Sequence, residues 1–94
     1  MDEPMSEEEL TAIERRCNAA TPGPWRAYIE GRDHLGGDSF IMTGPEDERG
    51  DDLYLSTYGK AVADADHDFV AGARQDVPRL LAEVRRLRGP RLSE

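Results

Sequence analysis

The sequence has few of the residues that build large hydrophobic cores, covalent cross-links or membrane spans. Leu, Ile, Val and Phe make up 17 of the 94 residues, below the level of about 20% at which a highly charged chain struggles to fold. Its single cysteine, Cys17, excludes an intramolecular disulfide. No apolar run reaches the roughly 18 residues of a membrane span. We therefore expect one small domain with a thin core that depends on tight turns or a second copy of itself.

The first residues lack the features of a secretory signal. Met1 is followed by Asp2 and Glu3, with neither a basic region nor an apolar stretch behind them. A single cysteine fits a reducing compartment, where we expect Cys17 to be a small buried side chain. The sequence therefore predicts a cytoplasmic location.

Positive charge is scarce, and it is unevenly distributed. The net charge is −8, with six acidic and no basic residues in positions 1–14 but six arginines against three acids in positions 74–94. We expect an acidic first helix to pack near a basic last helix. The overall acidity argues against nucleic-acid binding, although an arginine cluster leaves a phosphate contact open as an exception to a solvated helix face. The cluster consists of Arg85, Arg86, Arg88 and Arg91.

Apolar residues recur in steps of three and four near the C-terminus, which predicts a helix with one buried stripe. The stripe comprises Phe69, Val70, Ala73, Val77, Leu80, Leu81, Val84 and Leu87. Pro78 lacks a backbone donor and should kink or break this helix. We predict two pieces, residues 64–74 and 77–88, with Asp76 as N-cap of the second. Gly89 and Pro90 provide the stop.

The N-terminal helix has a clear start and an abrupt end. Ser6 and Glu9 have capping-box spacing, and a narrow apolar stripe runs from Leu10 to about Ala20. The following Thr-Pro-Gly-Pro corner ends the helix and delivers Trp25. This side chain is interpreted as a core plug between helix and sheet, with ligand stacking as the alternative.

Three segments have strand character, which completes an α+β prediction. Residues 25–30, 39–43 and 53–57 carry alternating apolar side chains. The predicted fold is a helix, a three-stranded antiparallel meander and a C-terminal helix interrupted near Pro78, with both helices on one face of the sheet. Residues 1–94 form a single domain, in which 1–5 and 89–94 are expected to be flexible tails.

Two groups of side chains are candidate sites. Outward aromatic and arginine residues could bind a partner on the open side of the sheet, or they are simply good strand residues; they are Arg26, Tyr28, Tyr54 and Tyr58. Asp64, His67 and Asp68 have i, i+3, i+4 spacing and could face a zinc or manganese ion. Carboxylates at a helix start explain the aspartates without a metal.

No other motif indicates chemistry. The acidic turn of residues 46–52 lacks the ligand pattern of a calcium loop and is better explained as a solvated hairpin turn. No nucleophile elbow or phosphate-binding loop is present, so nucleophilic catalysis is not expected and no cofactor is predicted.

Two segments resemble a known group of proteins. The corner ATPGPW at residues 20–25 and the run DHDFVAGARQDVPRLLAEV at residues 66–84 are similar to the two ends of small actinobacterial and phage-encoded proteins of the Ead-type early protein kind. The resemblance covers about a third of the chain and implies no reaction. It implies family positions at Trp25, Phe69, Arg74, Asp76 and Pro78. Independently, we expect Arg74 to bind open helix carbonyls or to pair with a carboxylate.

These observations favour a small acidic, non-enzymatic protein-interaction module. It would bind a protein partner or itself as a homodimer, with no membrane and no nucleic acid involved, and it could be connected with a phage or mobile element. The alternatives are a metal- or ligand-binding protein using the Asp64, His67 and Asp68 group, and an acidic mimic of nucleic acid.

Overall fold

The computed structural model describes residues 3–89, which form an α+β fold as predicted. The elements in chain order are α1 (Glu7–Ala19), β1 (Trp25–Tyr28), β2 (Phe40–Thr43), a short 3-10 helix (Glu46–Glu48), β3 (Asp52–Leu53) and α2 (Asp64–Arg88). The predicted tails fall largely on residues 1–2 and 90–94, which lie outside the described range. Neither α1 nor α2 combines the length and apolarity that a bilayer span requires.

Helix α1 begins at the predicted capping box. The Ser6 hydroxyl accepts a hydrogen bond from the Glu9 backbone N–H at 3.0 Å, and the Glu9 carboxylate accepts one from the Ser6 N–H at 2.8 Å. Three glutamates in the first turn also complement the helix dipole. Leu10 is the one buried residue of this helix, whereas Cys17 is half-buried rather than buried.

The corner after α1 fixes the start of β1. The indole N–H of Trp25 donates to the Thr21 carbonyl at 3.1 Å, and the Trp25 backbone N–H donates to the Gln75 side-chain oxygen at 2.6 Å. The Gly23–Pro24 peptide bond is cis. Trp25 is half-buried and is therefore not the enclosed plug that the sequence predicted. One hydrogen bond, from its backbone, ties β1 to α2, and the indole is bound to the corner.

The three strands form an antiparallel sheet in the order β1-β2-β3. Ile41 lies at its centre, paired with Ala27 on one side and Leu53 on the other, and it is fully buried. The third strand is shorter than the predicted 53–57. Because Ile41 pairs with Leu53, continuing this register would bring Leu55 and Thr57 opposite the loop before β2, where no strand is available.

Helix α2 is continuous from Asp64 to Arg88, and Pro78 lies inside it. The predicted interruption is therefore not confirmed, and Asp76 is an interior residue instead of an N-cap. Ala63 occupies the N-cap position, and Gly89, with φ of 80°, is the C-cap at the predicted stop. Both halves of α2 pack against other elements, which offsets the roughly 3 kcal/mol cost of an interior proline.

The buried face of α2 is not the predicted apolar stripe. Leu81 is buried, but Phe69, Leu80 and Leu87 are exposed. The face that packs against the rest of the chain, here called the docked face, has heptad-like spacing and consists of His67, Ala71, Arg74, Pro78, Leu81, Arg85 and Arg88. The sequence pattern did not predict that arginines belong to this face, because apolar periodicity takes no account of long cationic side chains.

Helix α1 and the sheet occupy different halves of α2. Glu7 contacts Arg88 and Glu14 contacts Arg85, at 3.1 and 2.9 Å, so α1 runs antiparallel along the C-terminal half, and the predicted attraction between acidic and basic ends is confirmed. The sheet contacts α2 mainly through β1. No contact joins α1 to a strand within residues 3–89, so the prediction that both helices pack on the sheet is wrong.

Arg74 lies between these two halves of α2 and connects the helix to the end of α1. Its guanidinium donates to the carbonyls of Thr21 and Cys17 at 3.0 and 3.1 Å. It therefore caps open carbonyls, as expected of its chemistry, but they belong to the end of α1 and not to its own helix.

The resulting molecule has a small core and an extended shape. The buried apolar residues of the described chain are Leu10, Ile29, Ile41, Met42, Ala71 and Leu81. The radius of gyration is 16.8 Å, whereas a compact chain of this length has about 12 Å. Helix α2 thus runs the length of the fold, and α1 and the sheet pack along one side of it.

Candidate functional site

The outer face of the sheet gathers the aromatic residues into a row. Tyr28 stacks on Phe40 with ring centroids 5.5 Å apart and an interplanar angle of 7°. The Phe40 ring lies 5.7 Å from that of Tyr54. The guanidinium of Arg26 lies 5.3 Å from the centroid of Tyr28. Three of the four predicted binding residues therefore meet, through a phenylalanine that the sequence analysis did not include.

The fourth, Tyr58, lies elsewhere. It is fully exposed in the turn between Thr57 and Lys60. Phe40 could have been found from the antiparallel pairing, since it lies directly opposite Tyr28.

A second arginine covers this aromatic row. The Arg49 guanidinium lies 5.7 Å from the Phe40 centroid and donates to both carboxylate oxygens of Asp52 at 2.7 and 2.8 Å. The hydrogen bond to Asp52 raises the pKa of Arg49 above its usual value. The rings and the two arginines thus pack on one another, although Tyr54 at the end of the row is still 61% exposed.

The predicted metal ligands do not form a coordination site. Asp68 accepts two hydrogen bonds from Arg32, at 2.9 and 3.0 Å, and this partner lowers the pKa of the carboxyl group. Asp64 is exposed, whereas His67 is buried. Within residues 3–89, no group of three His, Cys, Asp or Glu side chains is placed to hold a metal ion.

His67 borders a small pocket between the start of α2 and the segment after β3. Its Nδ1 lies 3.2 Å from the Ala63 carbonyl oxygen. A carbonyl can only accept, so Nδ1 is the donor in this contact. Nε2 is buried without a partner in the described chain. The pocket walls include Ser39, Thr57 and Lys60, whose polar groups give it no single chemical preference.

The arginine cluster is paired with carboxylates within the described part of the chain, whereas the acidic turn there is mostly unpaired. Arg85, Arg86 and Arg88 contact Glu14, Glu83 and Glu7 respectively, and Arg91 lies outside the described residues. In the acidic turn, Glu46 contacts Arg26 at 3.6 Å. The arginines of this cluster are therefore not a free patch within residues 3–89, whereas Asp47, Glu48 and Asp51 of the acidic turn make no ion pair there.

Several of the exposed large apolar side chains lie on one side of α2. Phe69 is 76% exposed, Leu87 69% and Leu80 62%, and Val77, half-buried Ala73 and half-buried Val84 complete the same side of the helix. We call these six residues the free stripe. At 100° per residue, it lies roughly 120° around the helix from the docked face. All six residues belong to the stripe that the sequence predicted to be buried.

Comparison of the chain with protein-family models, curated proteins and solved structures gives no match. The resemblance to Ead-type phage early proteins therefore stays a prediction, and function must be argued from the surfaces themselves.

Proposed function

We propose that this chain is a small, non-enzymatic protein-interaction module that binds its partner through the free stripe of α2. The observation that carries the proposal is the exposure of Phe69, Leu80 and Leu87 along one side of a single helix. Large apolar side chains aligned on a surface are typical of protein-binding helices, which present them at i, i+3, i+4 and i+7 positions.

The other surfaces support less specific functions. The rings on the outer face of the sheet stack on one another and lie beside paired arginines. The metal-binding alternative is weakened because Asp68 is engaged by Arg32. The mimicry alternative is supported by the net charge of −8 alone. The resemblance to phage proteins suggests a role connected with a mobile element, which identification of the partner would test.

The proposal can be tested with a single exposed substitution. Leu80→Asp places a charge in the middle of the free stripe without touching the docked face. Light scattering of the purified chain, together with capture from host extract on the immobilised chain, would measure association with itself or with another protein. We expect association of the wild type and its loss in Leu80→Asp. A monomeric wild type that captures the same proteins as the variant would overturn the proposal.

A further inference from the structure

The free stripe fits one partner in particular. Resting on the proposed interaction function, we infer that this partner is a second copy of the same chain, and that the two α2 helices pack antiparallel about a twofold axis. Three features support this inference. They are the helical spacing of the stripe residues, the opposite net charges of the two halves of α2, and an antiparallel register that pairs both the apolar and the charged residues.

The stripe is long and straight. Its residues follow one another at intervals of 4, 4, 3, 4 and 3 positions, an average equal to the 3.6-residue turn of an α-helix. They span about 27 Å at 1.5 Å per residue. Ala73, the smallest side chain of the stripe, lets a second helix approach closely.

Charge is strongly polarised along the same helix. Residues 64–76 contain four aspartates and one arginine, a net charge of −3, whereas residues 77–88 contain four arginines and one glutamate, a net charge of +3. An antiparallel pair places each acidic half beside a basic half. A parallel pair would align like charges and would be disfavoured.

In one antiparallel register, each apolar residue of the stripe faces another stripe residue. When the twofold axis passes near position 78, Phe69 of one copy faces Leu87 of the other. In the same register, Ala73 faces Val84 and Val77 faces Leu80. Every stripe residue thus meets a stripe residue, which is the self-complementarity that an isologous interface requires.

The same register also pairs charges at the edges of the stripe. Asp76 and Arg79 lie on one edge and are nearly opposite each other across the axis. Asp66 and Arg88 lie on the other edge and meet near the ends of the stripe. Within residues 3–89, the side chains of Asp66, Asp76 and Arg79 take part in no ion pair, so they are free to bind across the interface. Arg88 also belongs to the docked face and would be shared with Glu7 and the Met5 carbonyl of its own copy.

Cysteine cross-linking tests both the partner and the orientation. In a Cys17→Ser background, one chain carries Phe69→Cys and the other Leu87→Cys, both at exposed positions. After mixing and mild oxidation, we expect the mixed disulfide between the two chains to dominate over either homodisulfide. Chains carrying Arg15→Cys, an exposed residue of α1, provide the collisional control.

The outcomes separate this inference from the proposed function. Homodisulfides of each variant without the mixed product would overturn the antiparallel arrangement but leave self-association through the stripe intact. Cross-linking no faster than in the Arg15→Cys control would overturn the second copy as partner. In that case, the capture experiment with Leu80→Asp still decides whether the stripe binds a different protein.

A charge exchange tests the register. Asp76→Arg should weaken self-association by about tenfold, because two copies of each attractive contact become repulsive. Adding Arg79→Asp to the same chain should restore the affinity. Both residues are exposed, and circular dichroism of each variant would check that the fold is intact. A double variant as weak as Asp76→Arg alone would contradict the register.

Discussion

The two long faces of α2 differ in a way that composition would not suggest. The docked face, which holds the molecule together, carries three arginines and a histidine beside its buried Ala71 and Leu81. The free stripe is apolar throughout, yet its residues are exposed except for the half-buried Ala73 and Val84. The fold thus uses hydrogen bonds from arginines to hold α1 on α2, and it leaves an apolar helix face exposed.

The neighbouring leucines Leu80 and Leu81 give the sharpest test of this difference. Leu81 is 9% exposed on the docked face and Leu80 is 62% exposed on the free stripe. Leu81→Ala should lower the free energy of unfolding by about 2–4 kcal/mol, since it leaves a cavity against α1. Urea denaturation of the purified variant would measure the loss.

Leu80→Ala is the matched control for that experiment. It removes the same atoms from the same helix one residue earlier, and at a concentration where the chain is monomeric it should change the unfolding free energy by no more than about 0.5 kcal/mol. Equal losses of unfolding free energy in both variants would contradict the difference in burial between Leu81 and Leu80.

Arg74 tests whether hydrogen bonds hold the docked face. Arg74→Met keeps an apolar stem of similar length but removes both donors to the Cys17 and Thr21 carbonyls. We expect a loss of about 1–3 kcal/mol in unfolding free energy, because these carbonyls at the end of α1 lose their charged partner. Arg79→Met on the opposite side of α2 serves as the control, and a similar loss there would contradict a specific role for Arg74.

The smallest effect is expected from Arg32, which links the loop after β1 to α2. Hydrogen bonds from Arg32 lower the pKa of Asp68, and the Ile29 N–H, followed by Arg32, lowers that of Asp33. A carboxyl whose folded pKa lies below its unfolded value of 3.8 stabilises the fold above that value. This stabilisation disappears as the pH falls through the folded pKa.

Asp68→Asn should therefore reduce the loss of stability between about pH 5 and pH 2. Thermal unfolding midpoints across this range would measure the change. Asp47→Asn, which removes an exposed carboxylate that makes no ion pair within residues 3–89, controls for the change in net charge. If the unfolding midpoint of Asp68→Asn fell more steeply with decreasing pH than that of the wild type, a stabilising role of the ionised Asp68 carboxylate would be contradicted.

The parts of the fold that sequence predicted correctly depend on local signals. The Ser6 and Glu9 capping box, the strand alternation and the Gly89 stop each involve residues a few positions apart. The length of β3 was not predictable in this way, because it depends on where β2 begins on a different segment.

The faces of α2 required tertiary information. Apolar periodicity identified the residues of the free stripe, but it could not show that the rest of the described chain leaves them exposed. The docked face was invisible to the same criterion because Arg74 and Arg85 bind groups on α1 that only folding brings near. For the sheet, Arg26, Tyr28 and Tyr54 were identified from alternation, whereas the contribution of Arg49 depends on a turn conformation.

Intermolecular nuclear Overhauser effects in a mixture of isotope-labelled and unlabelled chains would test the account most directly. Antiparallel packing of the two α2 helices predicts contacts between the Phe69 ring of one copy and the Leu87 methyl groups of the other, with none to Leu81. Absence of any intermolecular contact to the free stripe at millimolar concentration, or contacts confined to Tyr28 and Tyr54 on the sheet, would contradict it.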